Sequence, residues 1–288
     1  MKYMDKEGIL REMSDSQDRF FRFIYAHRFT RLLLAPLVRP GFSRFAGRLM
    51  DSRPSTVLIK RFIKKNHIDM SQFETRKFRS FNDFFTRAVL PEKRPVPSDP
   101  SCLFSPCDAF LSVFPVSDEL EFTVKNTRYT LPEFLKSEEE ARDFAGGALL
   151  LFRLSVQHYH RYHFIDDGEL ISERVIPGTL HTVQPSANDA LPIYKENTRS
   201  ISALRLQHFG EVRMIEVGAL LVGRIVNRKV TKFTRGEEKG RFEFGGSTVI
   251  LLLKKGAAAI DERITRASKE GIESEVLFGM PIGCAARK

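Results

Sequence analysis

Beyond Pro100 the apolar residues come in short runs of strand length, each closed by glycine, proline or charge. Phe110 to Phe114, Ala148 to Leu154, Val212 to Val217 and Ile225 to Phe233 are such runs. Segments of this length between turn-forming residues are strands that pair into sheets. They predict an α+β protein with a β-rich core. Gly256 to Ile272 stays open, because its alanines and charges suit a helix while its neighbours suggest strands and turns.

The amino-terminal part has another texture. Between Arg19 and Met50 stand Arg19, Arg22, Arg28, Arg31, Arg39, Arg44 and Arg48, with no Asp or Glu among them. Phenylalanines and leucines recur between them near helical spacing, interrupted at Pro36 and Pro40. The pattern predicts short amphipathic helices, followed by another over Ser55 to Lys65. Their apolar stripe can pack on the protein's own core or enter a lipid headgroup layer with arginines on phosphates, and the two are compatible.

Composition narrows the partners. With 288 residues, 42% hydrophobic and 28% charged, the chain can bury a core and is neither disordered nor membrane-spanning in class. No apolar run approaches the roughly 20 residues needed to cross a bilayer, so membrane contact is expected to be peripheral. The net charge of +10 favours polyanions. Lacking a groove-reading or base-stacking motif, the chain is expected to bind no nucleic acid. The first residues carry acids and no apolar core, which argues against a signal or transit peptide. The three cysteines lack paired spacing and fit a reducing, cytoplasmic-type compartment.

Three stretches carry chemistry. In the first, Gly245 and Gly246 place an unhindered carbonyl directly before the Ser247 hydroxyl, and Val249 to Leu253 follow as a stiff apolar strand. In the second, His158, His160 and His163 fall within six residues of one another. On a strand His158 and His160 share a face, whereas a turn after His160 would join it to His163. A zinc site needs a further ligand at compatible spacing and nothing singles one out, so no metal is expected. In the third, Asp108 follows the turn Ser105-Pro106-Cys107. Asp108, a histidine and Ser247 together supply a nucleophile, a base and a carboxylate to orient the base. An ordinary serine hydrolase is one reading of that set, although Ser247 lacks the Gly-x-Ser-x-Gly elbow.

In combination these segments resemble the phosphatidylserine decarboxylase family. The similar stretches are Phe81-Asn-Asp-Phe-Phe-Thr-Arg87 with Arg94-Pro95, Ser105-Pro-Cys-Asp108, Tyr159-His-Arg-Tyr-His163, Pro185 with Asn197 and Arg199, Val217-Gly-Ala-Leu-Leu-Val-Gly223, Gly236-Glu-Glu-Lys-Gly240 with Phe242, Gly245-Gly-Ser-Thr248, and Gly279 to Gly283. Their order runs through most of the chain. Ala109, His158, Ile165 and Thr198 stand where the family commonly has other residues.

The resemblance implies a proenzyme that cuts itself between Gly246 and Ser247 into a β chain, 1–246, and an α chain, 247–288. It implies a triad of Asp108, His163 and Ser247 for cleavage, with His160 assisting the decarboxylation of substrate. Ser247 would become a pyruvoyl group that forms a Schiff base with phosphatidylserine, releasing CO2 and phosphatidylethanolamine without pyridoxal phosphate. A related possibility is a soluble amino acid as substrate. The resemblance further implies interleaved chains after cleavage, a homodimer, and peripheral attachment at the cytoplasmic face of an anionic membrane. The expected division is an amino-terminal helical, membrane-associating region, 1–75, and a β-rich catalytic domain, 76–288.

Overall fold

The computed structural model describes residues 2–12, 23–25, 30, 34, 36–124, 127–183, 185–188, 191–220, 224–245 and 247–286. Ten strands among them form one sheet. In order they are Lys232–Phe233, Gly168–Ile176, Arg199–Leu206, Gly210–Val217, Ser247–Leu253, Ala148–Leu154, Ala109–Pro115, Glu273–Val276, Lys2–Met4 and Leu10–Glu12. Neighbours run antiparallel except Lys2–Met4, which lies parallel to Glu273–Val276. Smaller sheets pair Ile225–Asn227, Glu238–Phe242 and Arg161–His163, and Ala258–Ile260, Pro281–Ala285 and Cys102–Phe104. The architecture is α+β and β-rich.

Strand Ser247–Leu253 lies inside the large sheet, and every residue of it is buried. A strand covered on both faces needs successive apolar residues rather than alternation, which the run from Val249 to Leu253 supplies. Its register pairs Ser247 with Leu154, the last residue of the neighbouring strand. The loop that begins at Ser155 and carries His158 and His160 therefore starts opposite Ser247. Pairing of Thr248 with Val217 puts Gly218 at the same end of the sheet.

Most of the expected strands form where the sequence puts them, and Ala148–Leu154 matches at both ends. The run from Ile225 to Phe233 is a correction. It divides into Ile225–Asn227 and Lys232–Phe233, which join different sheets. Asn227 turns its amide onto Glu173 and Glu216, and the chain leaves the first sheet there. The open segment divides likewise, into strand Ala258–Ile260 and helix Glu262–Lys269, capped by the Asp261 carboxylate on the Arg263 N–H.

Much of the amino-terminal arginine-rich stretch lies outside the described residues. Within them, helix Pro40–Asp51 starts on proline and ends with Arg48 in its last turn, both favourable placements. Phe42, Phe45 and Leu49 are exposed along one face, while Ser43 and Gly47 are buried on the other. By contrast, Tyr25, Leu34 and Val38 join the main core. The apolar stripe thus divides, part packing inward and part facing out. Helix Val57–Lys65 turns Phe62 onto Phe81 at 5.1 Å between ring centroids, in a satellite cluster that also holds Phe84, Phe85 and Phe244.

Candidate active site

Ser247 is fully buried, and among the described residues its Oγ has no hydrogen-bond partner. Leaving a buried hydroxyl unpaired costs about 1–3 kcal/mol, and Ser43, Thr248 and Ser274 share that condition among the described residues, so it is the position of Ser247 after two glycines that sets it apart. Gly246 lies outside the described residues. Gly245 adopts a φ of +133°, a backbone shape that side-chain-bearing residues rarely take, so the chain turns into the strand on glycine.

His160 stands beside this junction. Its ring lies 4.1 Å from that of Phe85, and its backbone carbonyl accepts the Phe242 N–H at 2.9 Å. Nδ1 donates to the His158 carbonyl at 2.9 Å, which leaves the buried Nε2 as a lone pair with no partner among the described residues. Burial pushes its pKa down to about 3, and the neighbouring backbones of His158 and Gly245 oppose that shift only partly. His160 is therefore neutral near pH 7.

His163 and Asp108 form a second group. The His163 ring stacks on Phe278 at 3.7 Å and 13°, and its Nδ1 donates to the Pro106 carbonyl at 3.2 Å. Burial lowers its pKa to about 4. Asp108 is buried and accepts Arg94 Nε at 3.0 Å, Arg94 Nη2 at 2.8 Å and the Phe278 N–H at 2.8 Å. Its influence on His163 is the raising pull of its charge. Among the described residues no hydrogen bond joins Asp108 to His163, or His163 to Ser247. Phe278 is the common neighbour, stacked on the imidazole and bonded to the carboxylate. Gly279, at φ +83°, makes that placement possible, since a Cβ there would lie 2.4 Å from the Pro95 carbonyl oxygen.

Sequence reasoning missed several supporting residues. Arg94 holds Asp108, and although it falls in a recognised segment, spacing alone does not reveal its partner. Asn82 accepts the Phe244 N–H at 3.1 Å and donates to Asp51 at 2.8 Å and the Gly47 carbonyl at 3.3 Å. It thereby ties helix Pro40–Asp51 to the approach to Ser247. Arg161 clamps the Thr86 carbonyl through Nε at 2.9 Å and Nη2 at 2.6 Å, and Arg87 reaches the Gln157 carbonyl at 3.3 Å. These bonds lace segment 81–87 to the histidine loop. His158 is also buried, with its pKa pushed down to about 3 by burial and then by Arg153, Arg94 and Arg87. Its Nδ1 accepts the Ser155 N–H at 3.0 Å, an interaction that shapes the loop.

Comparison with known proteins agrees with the geometry. Residues 81–284 match the model of the family described as phosphatidylserine decarboxylase. The chain is 43% identical over 263 residues to phosphatidylserine decarboxylase proenzyme 2 of Clostridium acetobutylicum, covering 91% of this chain and 90% of the relative. It is 37% identical over 272 residues to the phosphatidylserine decarboxylase proenzyme of Ruminiclostridium cellulolyticum, with 92% and 91% covered. Against the Clostridium novyi proenzyme it is 36% identical over 273 residues, with 92% of each covered. With a match spanning most of its length and a buried serine following Gly245 and Gly246, this chain belongs to the phosphatidylserine decarboxylase family.

Proposed function

We propose that this protein is a self-processing decarboxylase of phosphatidylserine, yielding phosphatidylethanolamine and CO2. The observation that carries the reading is the buried Ser247 hydroxyl, without a partner among the described residues, at the start of an internal strand, with a neutral His160 beside Gly245.

In the proposed cleavage, Ser247 Oγ gives its proton to a neutral imidazole and attacks the Gly246 carbonyl carbon. The peptide C–N bond breaks as the ester C–O bond forms. Removal of the Ser247 Cα proton then expels the Gly246 carboxylate, which frees chain 1–246. Hydrolysis of the residue left at 247 takes up water, releases ammonia and leaves a pyruvoyl group at the head of chain 247–288. That group supplies an electron sink for an amine substrate losing CO2. Buried strand partners on both sides would hold it, and a dry pocket strengthens every polar contact within it.

His163 is assigned as base for cleavage, with Asp108 favouring its protonated form through space. His160 is assigned to the substrate step, positioned by Phe85 and the His158 carbonyl. Release of CO2 from phosphatidylserine in mixed micelles tests the activity. No CO2 from fully folded, cleaved protein would remove it.

For the amino-terminal region we propose peripheral attachment to an anionic membrane surface. Phe42, Phe45 and Leu49 face outward, with Arg44 and Arg48 exposed alongside. Burying two such side chains in the headgroup layer is worth about 3–4 kcal/mol in all. Phe45→Asp with Leu49→Asp is therefore expected to weaken binding to phosphatidylserine-containing vesicles by at least about a hundredfold. Melting temperature should stay close to that of the parent, because both side chains are exposed. Unchanged vesicle binding would count against this role.

A further inference from the structure

A cavity of about 410 Å³ lies between helix Pro40–Asp51 and the large sheet. Arg44, Arg224 and Lys229 line it, and Glu173, Ser200 and Asn227 supply further polar side chains. Val175, Leu180 and Ile225 add apolar surface. The volume is in the range of small-ligand sites.

The charges divide in a useful way. Arg224 is paired with Glu243 at 2.8 Å, whereas neither Arg44 nor Lys229 has an ion-pair partner among the described residues. Glu173 is the only acid among the described residues lining the cavity; its carboxylate is held by the Asn227 amide and by Ser200 and Ser202 at 3.3 Å each, and it lies 3.9 Å from Lys239 Nζ, which Glu216 holds at 2.9 Å. Two unspent cations near a fixed carboxylate suit a ligand that carries a phosphodiester and an ammonium together.

The cavity also borders the approach to Ser247 from two sides. Gly218, in its wall, directly follows Val217, the cross-strand partner of Thr248. Ile225, also in its wall, pairs with Phe242, and the Arg224 carbonyl accepts the Glu243 N–H, two residues before Gly245. Gly218 leaves little slack, since a Cβ there would meet Leu180 Cδ2 at 3.0 Å. Overhead, Arg44 shares its helix with the outward-facing Phe42, Phe45 and Leu49.

We infer that this cavity is the seat of an aminophospholipid headgroup, with Arg44 and Lys229 on the phosphodiester and Glu173 on the ammonium. The inference deepens the functional reading above and rests on it for the lipid nature of the ligand. The acyl chains would leave past the exposed face of helix Pro40–Asp51.

The test uses the full chain carrying Ser247→Ala, which undergoes no chemistry, and titrates it calorimetrically with short-chain phosphatidylethanolamine below its micelle concentration. Adding Arg44→Ala and Lys229→Ala should weaken binding by about tenfold or more, the worth of about one charge-assisted contact. Short-chain phosphatidylglycerol, which lacks the amine, should bind the parent about tenfold more weakly than the amine lipid, and Glu173→Gln should erase that preference. Glycerophosphoethanolamine, which lacks acyl chains, should bind but more weakly than the lipid. Unaltered binding in the Arg44→Ala, Lys229→Ala chain overturns the site, and equal binding of the amine lipid and phosphatidylglycerol overturns the ammonium assignment. Stronger binding of glycerophosphoethanolamine than of the lipid overturns the lipid assignment. Failure of the wild-type protein to release CO2 from phosphatidylserine, with these binding results intact, would sink the decarboxylase reading while leaving the site standing.

Discussion

Ser247→Ala is expected to yield a single intact chain that releases no CO2 from phosphatidylserine and is slightly more stable than an uncleaved parent. Both effects have one source. The side-chain oxygen is the proposed nucleophile, and no other described hydroxyl begins the strand at that junction. The same oxygen is buried with no partner among the described residues, so deleting it removes a desolvation cost of about 1 kcal/mol while leaving the Cβ that fills the space. A group that costs stability where it stands and is needed for reaction is the usual signature of a site kept for function. Denaturing electrophoresis reads the first effect and urea unfolding the second. Two chains appearing in Ser247→Ala would contradict the assignment of the nucleophile.

Acid should unfold the intact chain steeply, well above the pH at which ordinary carboxylates protonate. His158, His160 and His163 are held by burial at about 3, about 3 and about 4, against about 6.5 in an unfolded chain. Between those values the unfolded state binds protons that the folded state refuses, so stability falls as pH falls. Each imidazole contributes up to about 1.4 kcal/mol per pH unit, and the three together about 4. From pH 6.5 to 5 the loss reaches about 5 kcal/mol, comparable with the whole stability of many domains. Glu196, Glu216 and Glu275 act oppositely, since burial raises their pKa values and the folded state takes up protons there before the unfolded chain does, which offsets part of the loss. Urea midpoints of the Ser247→Ala chain measured from pH 7 to 5 test this, and His160→Asn should remove about a third of the slope. A flat profile over that interval would mean the imidazoles are not buried as described.

The β-rich body was legible because its strands are local in sequence: Ala148–Leu154 and the run from Val249 to Leu253 announce themselves by composition and by the glycines around them. Ile225 to Phe233 misled for a physical reason, since a continuous β-prone run cannot show that Asn227 will be drawn aside by Glu173 and Glu216. At the candidate site, His160 stands beside the Gly245 backbone, while His163, the base expected for Ser247, stacks on Phe278 and makes no hydrogen bond to Ser247 among the described residues. The partners of Asp108 were not legible. Arg94 is fourteen residues away and Phe278 far along the chain, and neither pairing follows from any periodicity. The split of the amino-terminal stripe was also hidden, because helical spacing identifies an apolar face without saying whether protein or lipid will cover it.

The most direct test is the intact mass of the wild-type protein after purification under non-reducing and amine-free conditions. Cleavage at Gly246-Ser247 predicts two species, one ending at Gly246 and one comprising residues 247–288 that is lighter than the unmodified peptide by the difference between an amino-terminal serine and a pyruvoyl group, one ammonia. A single species with the mass of the full 288-residue chain, or a 247–288 fragment that still begins with serine, would contradict the account.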